Sequence, residues 1–491
     1  MDRNFAGLLV NRLGERSFLS DAATGQTVAA TDLPRLIAGY AHAFHTAGLR
    51  PGDHILIVST LSPHSGLAYL GAIYAGLVVA PVDERTMATA GESLLGATGA
   101  RALWTEQASS AAKVGDASVL RLQGNLAGNN PQCFPPVPRK DSDLAALMAT
   151  SGSTGVPRFV MITHGNLLAN TEAIARSQGL LEDDRAMLIL PLSYCFGASV
   201  FHTHLYRGGG IVFDRRFMFP DRVLHAVNQY ACTTFAGVPT TYKVLLHRSK
   251  LRSIPMPSLR RFLQAGGALA PDKIREMRQA VPYARFYVMY GQTEATARIS
   301  CLEPERLEDK LGSAGRPLDN LSVRLVDEHG KDVPKGEPGE IWVKGPSIAR
   351  GYLNEPEESQ RVFKEGWLAT GDLARMDAEG YLWVQGRRSA FLKMRGVRVS
   401  FAEVEAKVTA IPGVFECAAT AVPHEEAGEA LVLFVVVEKA STLASEHIRH
   451  YLPAHWSILA VEFVVELPKN QNGKVSRPAL KQHWSAKYAV N

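Results

Sequence analysis

The sequence predicts an α/β fold with a large N-terminal domain of stacked, mostly parallel sheets and helices, a small β subdomain, and a small α+β C-terminal domain. At 491 residues the chain is longer than a single hydrophobic core usually supports. Up to about residue 300, helical patterns alternate with short apolar strands, which is typical of a largely parallel sheet. Further along, strands alternate with Gly/Pro turns, and a compact unit of roughly a hundred residues follows.

The first elements follow from the spacing of apolar residues. Helical spacing predicts one helix over 31–47 and another over 67–75. Short apolar runs predict buried strands at 54–58, 78–82 and 144–148. Together these elements begin an α/β layer.

The middle of the chain continues the same alternation after a turn-rich stretch, 107–140, which we expect to be a surface connection. Beyond it we expect a helix over 166–177. Short strands separated by helices are expected at 188–190, 211–213, 233–236, 262–265 and 286–289.

The last third of the chain changes character. Strands at 323–326 and 340–343 lie among turns such as DEHGK and GEPGE, which predicts a small β subdomain. A helix from Phe401 and strands at 432–437 and 461–465 then predict a separate α+β unit. We therefore place the domain boundary between residues 1–387 and 388–491.

Composition and charge argue against several classes of protein. The 53 Lys and Arg residues are dispersed and face 48 Asp and Glu, so the net charge of +5 predicts no nucleic-acid partner. The five cysteines form no CxxC pair, which favours a reducing compartment over structural zinc. The N-terminal segment carries charges throughout, unlike a signal peptide, and the apolar stretch 66–82 is shorter than the ~20 residues of a membrane-spanning helix. We expect a cytoplasmic protein without a membrane span.

One loop, within LMATSGSTGVPRFVMITHGN, is a candidate anion site. It follows an apolar strand and consists of small residues whose backbone N–H groups and hydroxyls can surround an anion, and Arg158 adds a positive charge at its exit. On these residues alone, a flexible surface turn is the alternative. The loop consists of Thr150, Ser151, Gly152, Ser153, Thr154 and Gly155.

Four further stretches carry candidate chemistry. In YGQTEAT, Thr293 can bind a phosphate, Glu294 can hold Mg²⁺, and the ring of Tyr290 can stack on a purine. In ATGD, Asp372 can accept the two hydroxyls of a ribose or simply form a turn. The other two stretches are GRRSAFLKMRGVRVSFAEVE, at the domain junction, and PKNQNGKVSR, in which Lys474 follows a glycine.

In this order and at these separations, the five stretches resemble the adenylate-forming, or AMP-binding, superfamily of acyl-CoA synthetases, acyl-AMP ligases, peptide-synthetase adenylation domains and luciferases. The resemblance runs from Thr31 to Arg477. It implies an acid–thiol ligase with two half-reactions: a carboxylate attacks the α-phosphate of ATP and releases pyrophosphate, and a thiol then displaces AMP. A carboxylate is ionised at neutral pH, so the first step needs positioning and electrostatics and no general base.

The resemblance also assigns roles to residues. The TSGSTG loop and Arg158 would hold the β- and γ-phosphates, and Thr293 would contact the α-phosphate. Glu294 would carry the metal ion, Mg²⁺, and Lys474 would bridge the carboxylate and the α-phosphate. Adenine would lie between Gly266-Gly267 and Tyr290. The remaining nucleotide-binding residues would be Gly291, Gln292, Asp372 and Arg387, the last two on the ribose.

The resemblance further implies that the C-terminal domain is mobile. Lys474 would leave after the first step, and the segment from Lys393 to Gly396 would then line the tunnel of the thiol. Two positions depart from the family's pattern. Ser389 stands at the hinge, where Asp or Lys is usual, and Arg158-Phe159 stands where Lys-Gly is usual.

The segment PLSYCFGASV bears on the acid. Amino-acid-activating members place an Asp where this chain has Gly197, and a glycine cannot pair with an ammonium group. We therefore expect a small carboxylic acid without an α-amino group. Arg298 would either bind a polar or anionic tail of the acid or join a structural ion pair. The pocket residues implied by the resemblance are mostly apolar, which suits an acyl chain or aryl ring: Tyr194, Gly197, Phe201, Val238, Met289, Ala297 and Arg298.

The acceptor implied by the resemblance is a phosphopantetheine thiol, of coenzyme A or of an acyl or peptidyl carrier protein. The serine at position 389 and the residues of the stretches YGQTEATAR and PRFV weakly favour the carrier protein. The alternatives are a ligase that activates an amino acid or forms an amide, and a luciferase-like oxidoreductase.

Overall fold

A computed structural model gives the fold of the protein. It describes residues 3–107, 119–128, 132–150, 157–388, 391–394, 397–424, 428–438, 443–453, 456–469 and 475–488. The chain forms two compact units: unit 1 consists of Met1–Val323 and Val343–Ala369, and unit 2 consists of Arg324–Trp342 and Thr370–Asn491. The predicted boundary between residues 387 and 388 stays a prediction.

The described elements follow the predicted alternation. The helices are α1 (Phe5–Val10), α2 (Leu33–Thr46), α3 (Pro63–Tyr74), α4 (Glu84–Thr98), α5 (His164–Ser177), α6 (Cys195–Tyr206), α7 (Pro220–Gln229), α8 (Pro239–Arg248), α9 (Pro271–Ala280), α10 (Pro356–Val362), α11 (Phe401–Thr409), α12 (Ser445–Tyr451) and α13 (Arg477–Tyr488). The strands are β1 (Phe18–Asp21), β2 (Thr27–Ala29), β3 (His54–Ser59), β4 (Val78–Asp83), β5 (Ala102–Thr105), β6 (Leu120–Gln123), β7 (Leu144–Thr150), β8 (Arg158–Thr163), β9 (Arg185–Leu188), β10 (Gly210–Phe213), β11 (Thr234–Gly237), β12 (Arg261–Gln264), β13 (Arg285–Tyr290), β14 (Ser300–Leu302), β15 (Arg316–Pro317), β16 (Ser322–Val326), β17 (Gly339–Lys344), β18 (Phe363–Lys364), β19 (Trp367–Met376), β20 (Leu382–Arg387), β21 (Phe391–Met394), β22 (Val397–Ser400), β23 (Val414–His424), β24 (Gly428–Val437) and β25 (Ile458–Phe463).

Unit 1 contains two large sheets. One has the strand order β15-β14-β13-β12-β11-β9-β10-β1-β2, and the other has the order β6-β5-β3-β4-β7-β8. In the first sheet, the six neighbouring strands β13, β12, β11, β9, β10 and β1 are parallel. Strands β14 and β15 at one end and β2 at the other end are paired antiparallel. In the second sheet β7 and β8 are antiparallel and the other pairs are parallel. The predicted α/β class with mostly parallel sheets is confirmed.

Helix α3 and strand β4 account for the apolar stretch 66–82. Nearly every residue of α3 is buried, and the core around it includes Tyr40, Phe201 and Phe213. A helix that is apolar on all sides is stable only when other elements cover it completely. Among the described residues, none of the helices has the length and hydrophobicity of a membrane span.

Several boundaries differ from the prediction. Helix α3 begins at Pro63, four residues early, because Ser62 caps it by accepting a hydrogen bond from the Ser65 N–H at 3.1 Å. Strand β9 ends at Leu188, where a strand over 188–190 was expected, because its parallel pairing with β10 starts at Arg185. Strands β1, β2 and β6 were not predicted. All three are short; β1 pairs with the distant β10, whereas β2 pairs with β1 and β6 pairs with β5.

Unit 2 contains both helices and strands. Strands β23 and β24 form a long antiparallel pair, and β25 joins β24 in parallel. One face of this sheet packs on α11 through residues such as Val404, Val408 and Leu433. The part of β19 from Asp372 onward pairs with β20.

Candidate active site

The candidate phosphate loop connects the antiparallel strands β7 and β8. Thr150 ends β7 and lies opposite Arg158, which begins β8, and the Thr150 hydroxyl donates a hydrogen bond to the carbonyl oxygen of Arg158 at 3.4 Å. A strand pair therefore holds the two ends of the loop together. The predicted loop residues Ser151, Gly152, Ser153, Thr154 and Gly155 lie outside the described residues.

Two carboxylates on and beside α10 hold the side chain of Arg158. Its Nε lies 2.9 Å from Oε2 of Glu355, and its Nη1 lies 2.7 Å from Oε1 of Glu358. Arg361 also binds Glu358, and this hydrogen bond, followed by the charge of Arg158, lowers the pKa of the Glu358 carboxyl. The predicted phosphate-binding cation therefore has carboxylate partners of its own.

Tyr352 links Arg158 to Glu294. The Tyr352 hydroxyl donates a hydrogen bond to Oε1 of Glu294 at 2.8 Å, and the guanidinium carbon of Arg158 lies 5.8 Å from the centre of the Tyr352 ring. Burial and the Glu294 charge both raise the pKa of Tyr352, so the phenol stays protonated and donates. The predicted metal ligand and the predicted phosphate-binding residue thus contact the same ring.

The segment from Tyr290 to Arg298 folds back on itself. A short 3₁₀ turn, Thr293–Ala295, follows β13, and the Ile299 N–H donates to the Tyr290 carbonyl at 2.9 Å. A Cβ atom at Gly291 would overlap with the carbonyl oxygen of Ala297, so this close approach requires glycine. The fold-back brings the predicted nucleotide-binding residues next to Ala297 and Arg298, which are predicted to bind the acid.

Thr293 reaches the first turn of α6. Its hydroxyl lies 3.5 Å from the Cys195 sulfur and donates a weak hydrogen bond to it. Cys195 follows Tyr194 and precedes Phe196 and Gly197. The predicted α-phosphate contact is therefore beside the predicted acid pocket.

The glycine pair after β12 lies against the same pocket. Gly266 has a φ of +87°, and a Cβ atom there would lie 2.5 Å from the Tyr194 hydroxyl oxygen and 3.1 Å from Val238. Gln264 donates a hydrogen bond from Nε2 to the carbonyl oxygen of Gly267 at 2.7 Å. Tyr194 and Val238 thus contact the backbone that is predicted to face adenine.

At Gly197 the backbone is tightly packed. A Cβ atom there would lie 2.7 Å from the Leu190 carbonyl oxygen and closer still to that of Pro191. No side chain fits without a backbone shift. Phe201, one helical turn further, is buried between Gly66 and Phe213 in the core.

Arg298 is buried with 2% of its surface exposed. Its guanidinium carbon lies 4.9 Å from the centre of the Phe196 ring, and among the described residues no carboxylate pairs with it. Burial lowers the pKa of the Arg298 guanidinium, as expected for a desolvated cation. The structural ion pair that sequence reasoning left open therefore finds no partner in the described part of the chain.

Unit 2 brings the predicted ribose residues together. Asp372 and Arg387 are opposite one another on β19 and β20, with Nε of Arg387 3.3 Å from Oδ1 of Asp372. Asp372 follows Gly371, whose φ is +72° and whose N–H donates to Oε1 of Glu340 at 3.0 Å. Glu340 was not foreseen.

Two protein-family models match the chain. The family model of the AMP-binding enzymes matches residues 10–353, and that of the AMP-binding enzyme C-terminal domain matches residues 403–474. The chain belongs to the AMP-binding enzyme family. A feruloyl-CoA synthase from Amycolatopsis sp is 32% identical over 474 residues, which cover 94% of each chain.

Solved structures of this family share the fold. The ATP-bound crystal structure of MatB from Rhodopseudomonas palustris has a TM-score of 0.89 and 28% identity, and the match covers 99% of this chain and 100% of that one. The o-succinylbenzoate CoA synthetase MenE from Bacillus subtilis, in complex with its acyl-adenylate intermediate, has a TM-score of 0.86 and 26% identity over 98% of each chain. The predicted family, fold class and enzyme class, an AMP-forming acid–thiol ligase, are confirmed.

Other predictions concern residues beyond the described structure. Ser389, Gly396 and Lys474 lie outside the described residues, and Lys393 is placed only as a backbone position on β21. The part of the chain that the structure describes contains no group of three or more His, Cys, Asp or Glu residues that could hold a metal ion. The roles assigned to individual site residues stay predictions.

Sequence reasoning missed three partners: Tyr352, Glu355 and Glu358. They lie about two hundred residues from Arg158 in the chain, so no local pattern connects them. The available signal was the group of three acidic residues in GYLNEPEES, which is equally typical of an exposed helix start.

Proposed function

We propose that this enzyme activates an acyl or aryl acid without an α-amino group as its acyl-adenylate and transfers the acyl group to the thiol of coenzyme A. The observation that carries the choice of acid is the packing at Gly197, which leaves no room for the carboxylate that would bind an ammonium group. The buried neighbours Tyr194, Val238 and Met289 suit an acyl chain or an aromatic ring. The feruloyl-CoA synthase among the relatives supports an aromatic acid.

In the first half-reaction, the protein must bring two anions together. An oxygen of the ionised carboxylate attacks the α-phosphorus of ATP, the bond to the bridging oxygen breaks, and pyrophosphate leaves with the electron pair. Donors and cations around the phosphates must offset the negative charge. Arg158, Thr293 and Lys474 are the groups that we assign to this role.

Arg158 would bind the outgoing phosphates by exchanging partners. Its guanidinium has five N–H donors, so it can release one carboxylate and turn that edge to a phosphate. Glu355 is partly exposed, and pairs of this kind contribute little net stability. We therefore propose that ATP displaces Glu355 or Glu358 from Arg158.

Glu294 fits a magnesium site completed by the substrate. Mg²⁺ is usually bound by one or two carboxylates together with phosphate oxygens and water. The Tyr352 hydroxyl holds Oε1 of Glu294, and Oε2 has no described partner. Mg²⁺ bound there would offset charge on the phosphates of ATP. The Tyr352 hydrogen bond would keep the carboxylate in one orientation.

In the second half-reaction, the thiolate sulfur attacks the acyl carbon, the bond to the AMP oxygen breaks, and AMP leaves. Asp372 and Arg387 would hold the ribose, and the segment from Lys393 to Gly396 would line the thiol's path after the domain turns at Ser389. The five cysteines, all of which lie among the described residues, form no disulfide bond, which supports a reducing compartment such as the cytoplasm.

The proposal is tested by acid-dependent exchange of pyrophosphate into ATP over a panel of acyl, aryl and α-amino acids. The acids that support exchange are then incubated with the enzyme, ATP and one acceptor: coenzyme A, a carrier protein or an amine. We expect acids without an α-amino group to react at least ten times faster, and a thioester with coenzyme A to form. Preference for an amino acid, or product formation only with an amine or a carrier protein, would contradict the proposal.

Lys474→Ala tests the role of the catalytic lysine. We expect exchange to fall at least a hundredfold while the use of presynthesised acyl-adenylate changes less than fivefold, since the lysine acts on phosphate charge in the first step only. Lys481→Ala, which alters an exposed lysine of the same unit, is the matched control. Equal loss of both activities would refute the assignment.

A further inference from the structure

Arg298 is a buried cation that pairs with none of the carboxylates in the described part of the chain. Its exposed fraction is 2%, and its Nε makes no hydrogen bond in the described structure. Removing a guanidinium from water is costly, and proteins bury arginine only when something pairs with it. The position of Arg298, beside the predicted acid pocket, makes a substrate the natural candidate for this partner.

The described groups around Arg298 include no carboxylate. Those that act on its charge are Tyr194, Cys195 and Cys301, and the ring of Phe196 covers one face of the guanidinium. Burial raises the pKa of Cys301 to about 12 and raises that of Tyr194 as well, so neither supplies an anion at neutral pH. A ring face attracts a cation but accepts none of the in-plane N–H donors.

The backbone holds Arg298 firmly in this place. Asn170 accepts a hydrogen bond from the Arg298 N–H at 3.2 Å and donates one to the Arg298 carbonyl at 3.0 Å. Asn170, Cys195 and Ala297 also line a small cavity of about 10 Å³ beside it. The backbone of Arg298 is therefore fixed next to residues that are predicted to bind the acid.

A second buried arginine provides an internal comparison. Arg261, with 5% of its surface exposed, lies with Nη1 2.6 Å from Oδ2 of the buried Asp184. Where the fold uses a buried arginine structurally, it supplies an aspartate of the same chain. Arg298 has no such residue among those described.

We propose that the acid substrate is dicarboxylic: one carboxylate reacts with ATP, and the other, at the far end of the molecule, pairs with Arg298. The planar guanidinium matches the two oxygens of a carboxylate, which form short, charge-assisted hydrogen bonds with it. This inference rests on the proposed function, and it narrows the acyl or aryl acid to one with a second acidic group.

The test is pyrophosphate exchange with matched pairs of acids: hexanoate against adipate, and cinnamate against 4-carboxycinnamate. We expect the wild type to prefer the diacid of a pair at least tenfold in kcat/KM. Arg298→Met should abolish or invert that preference, and Arg298→Lys should retain part of it. Arg261→Met is the control, and its ratio of diacid to monoacid should equal that of the wild type.

The outcomes separate this inference from the function on which it rests. Exchange with monoacids only, with an unchanged ratio in Arg298→Met, would overturn the inference and leave the proposed function intact. Exchange with no acid at all would overturn both. Thermal melting shows whether each variant is folded, and Arg298→Met should melt at or above the wild-type temperature because it removes an unpaired buried charge.

Discussion

Two arginines of unit 1 are buried among the described residues, and they differ in one respect. Arg261 on β12 has the carboxylate of Asp184 at 2.6 Å, whereas Arg298, after the 3₁₀ turn, has the ring of Phe196 beside it and no carboxylate among the described residues. Both side chains lie in the low-dielectric interior, where a buried charge without a partner lowers the free energy of unfolding by several kcal/mol. The difference indicates that the fold supplies the counter-ion of Arg261, whereas the described residues supply none for Arg298, where we propose that the substrate does.

Arg158 lies between these two cases. It has two carboxylate partners, Glu355 and Glu358, but remains about a third exposed, with 31% of its side-chain surface accessible. A partly exposed ion pair is weak enough to be exchanged for another anion. Among the described residues, Arg261 thus has a permanent structural carboxylate partner, Arg158 has exchangeable ones, and Arg298 has none.

The largest expected effect comes from breaking the structural pair. Arg261→Met leaves Asp184 buried without its main counter-ion, so we expect the free energy of unfolding to fall by about 3–5 kcal/mol. Urea denaturation measures it. The control is Arg176→Met, which breaks an exposed pair with Asp319 and should cost about 1 kcal/mol or less. Equal losses in the two variants would remove the distinction between buried and exposed pairs.

In contrast to Arg261→Met, replacement of Arg298 is expected to raise the free energy of unfolding. Arg298→Met removes a desolvated charge and retains much of the side-chain volume, so without substrate the free energy of unfolding should rise by about 1–3 kcal/mol. The same denaturation experiment measures it. A loss of stability similar to that of Arg261→Met would mean that Arg298 has a structural partner.

Breaking the ion pair between Arg158 and Glu355 should change the affinity for ATP. Glu355→Gln frees one edge of Arg158, so we expect the KM for ATP in pyrophosphate exchange to fall about 2- to 5-fold. Glu357→Gln removes an equal charge from the same helix without contacting Arg158, and its KM should stay at the wild-type value. An increase of KM in Glu355→Gln would mean that Glu355 positions Arg158 for phosphate instead of competing with it.

The smallest effect is a difference in acid sensitivity. Burial raises the pKa of Asp184, but the charge and hydrogen bonds of Arg261 outweigh it and hold that pKa below the ordinary value. The pair therefore stabilises the fold above the unfolded-state pKa of about 3.9, and this contribution is lost as the pH falls through the lower pKa of the folded state. The stability gap between wild type and Arg261→Met should narrow below about pH 4. The gap to Arg298→Met should stay constant there, since none of the described carboxylates acts on Arg298; denaturation at several pH values checks both.

Much of the fold was predictable because it depends on local pattern. The strands at 54–58, 78–82 and 211–213 are confirmed within one residue of their bounds, since short apolar runs bordered by turns leave few alternatives. Strand β1 was missed because FLSD pairs with β10, almost two hundred residues away, as well as with the short β2. Strand β9 was shifted for the same reason: its register is set by a neighbour in space.

The candidate site divides in the same way. The identity of its residues, such as Thr293, Glu294 and Asp372, was readable from short stretches in a fixed order. Only part of the role of Gly197 could be predicted. The sequence shows that this position carries no carboxylate, but it does not show that the backbone carbonyls of Leu190 and Pro191 exclude any side chain there. Tyr352, Glu355 and Glu358 were missed because their partners are distant in the chain.

The sequence by itself determined the family, the α/β class and the set of candidate residues, because apolar periodicity and short motifs are local properties of the chain. The tertiary structure alone decided which charges have partners. Arginine is normally exposed or paired, and nothing adjacent to position 298 indicates that its side chain is buried beside Phe196 without a carboxylate. Burial and pairing are set by packing between segments far apart in sequence, and they distinguish the structural Arg261 from the Arg298 that we assign to the substrate.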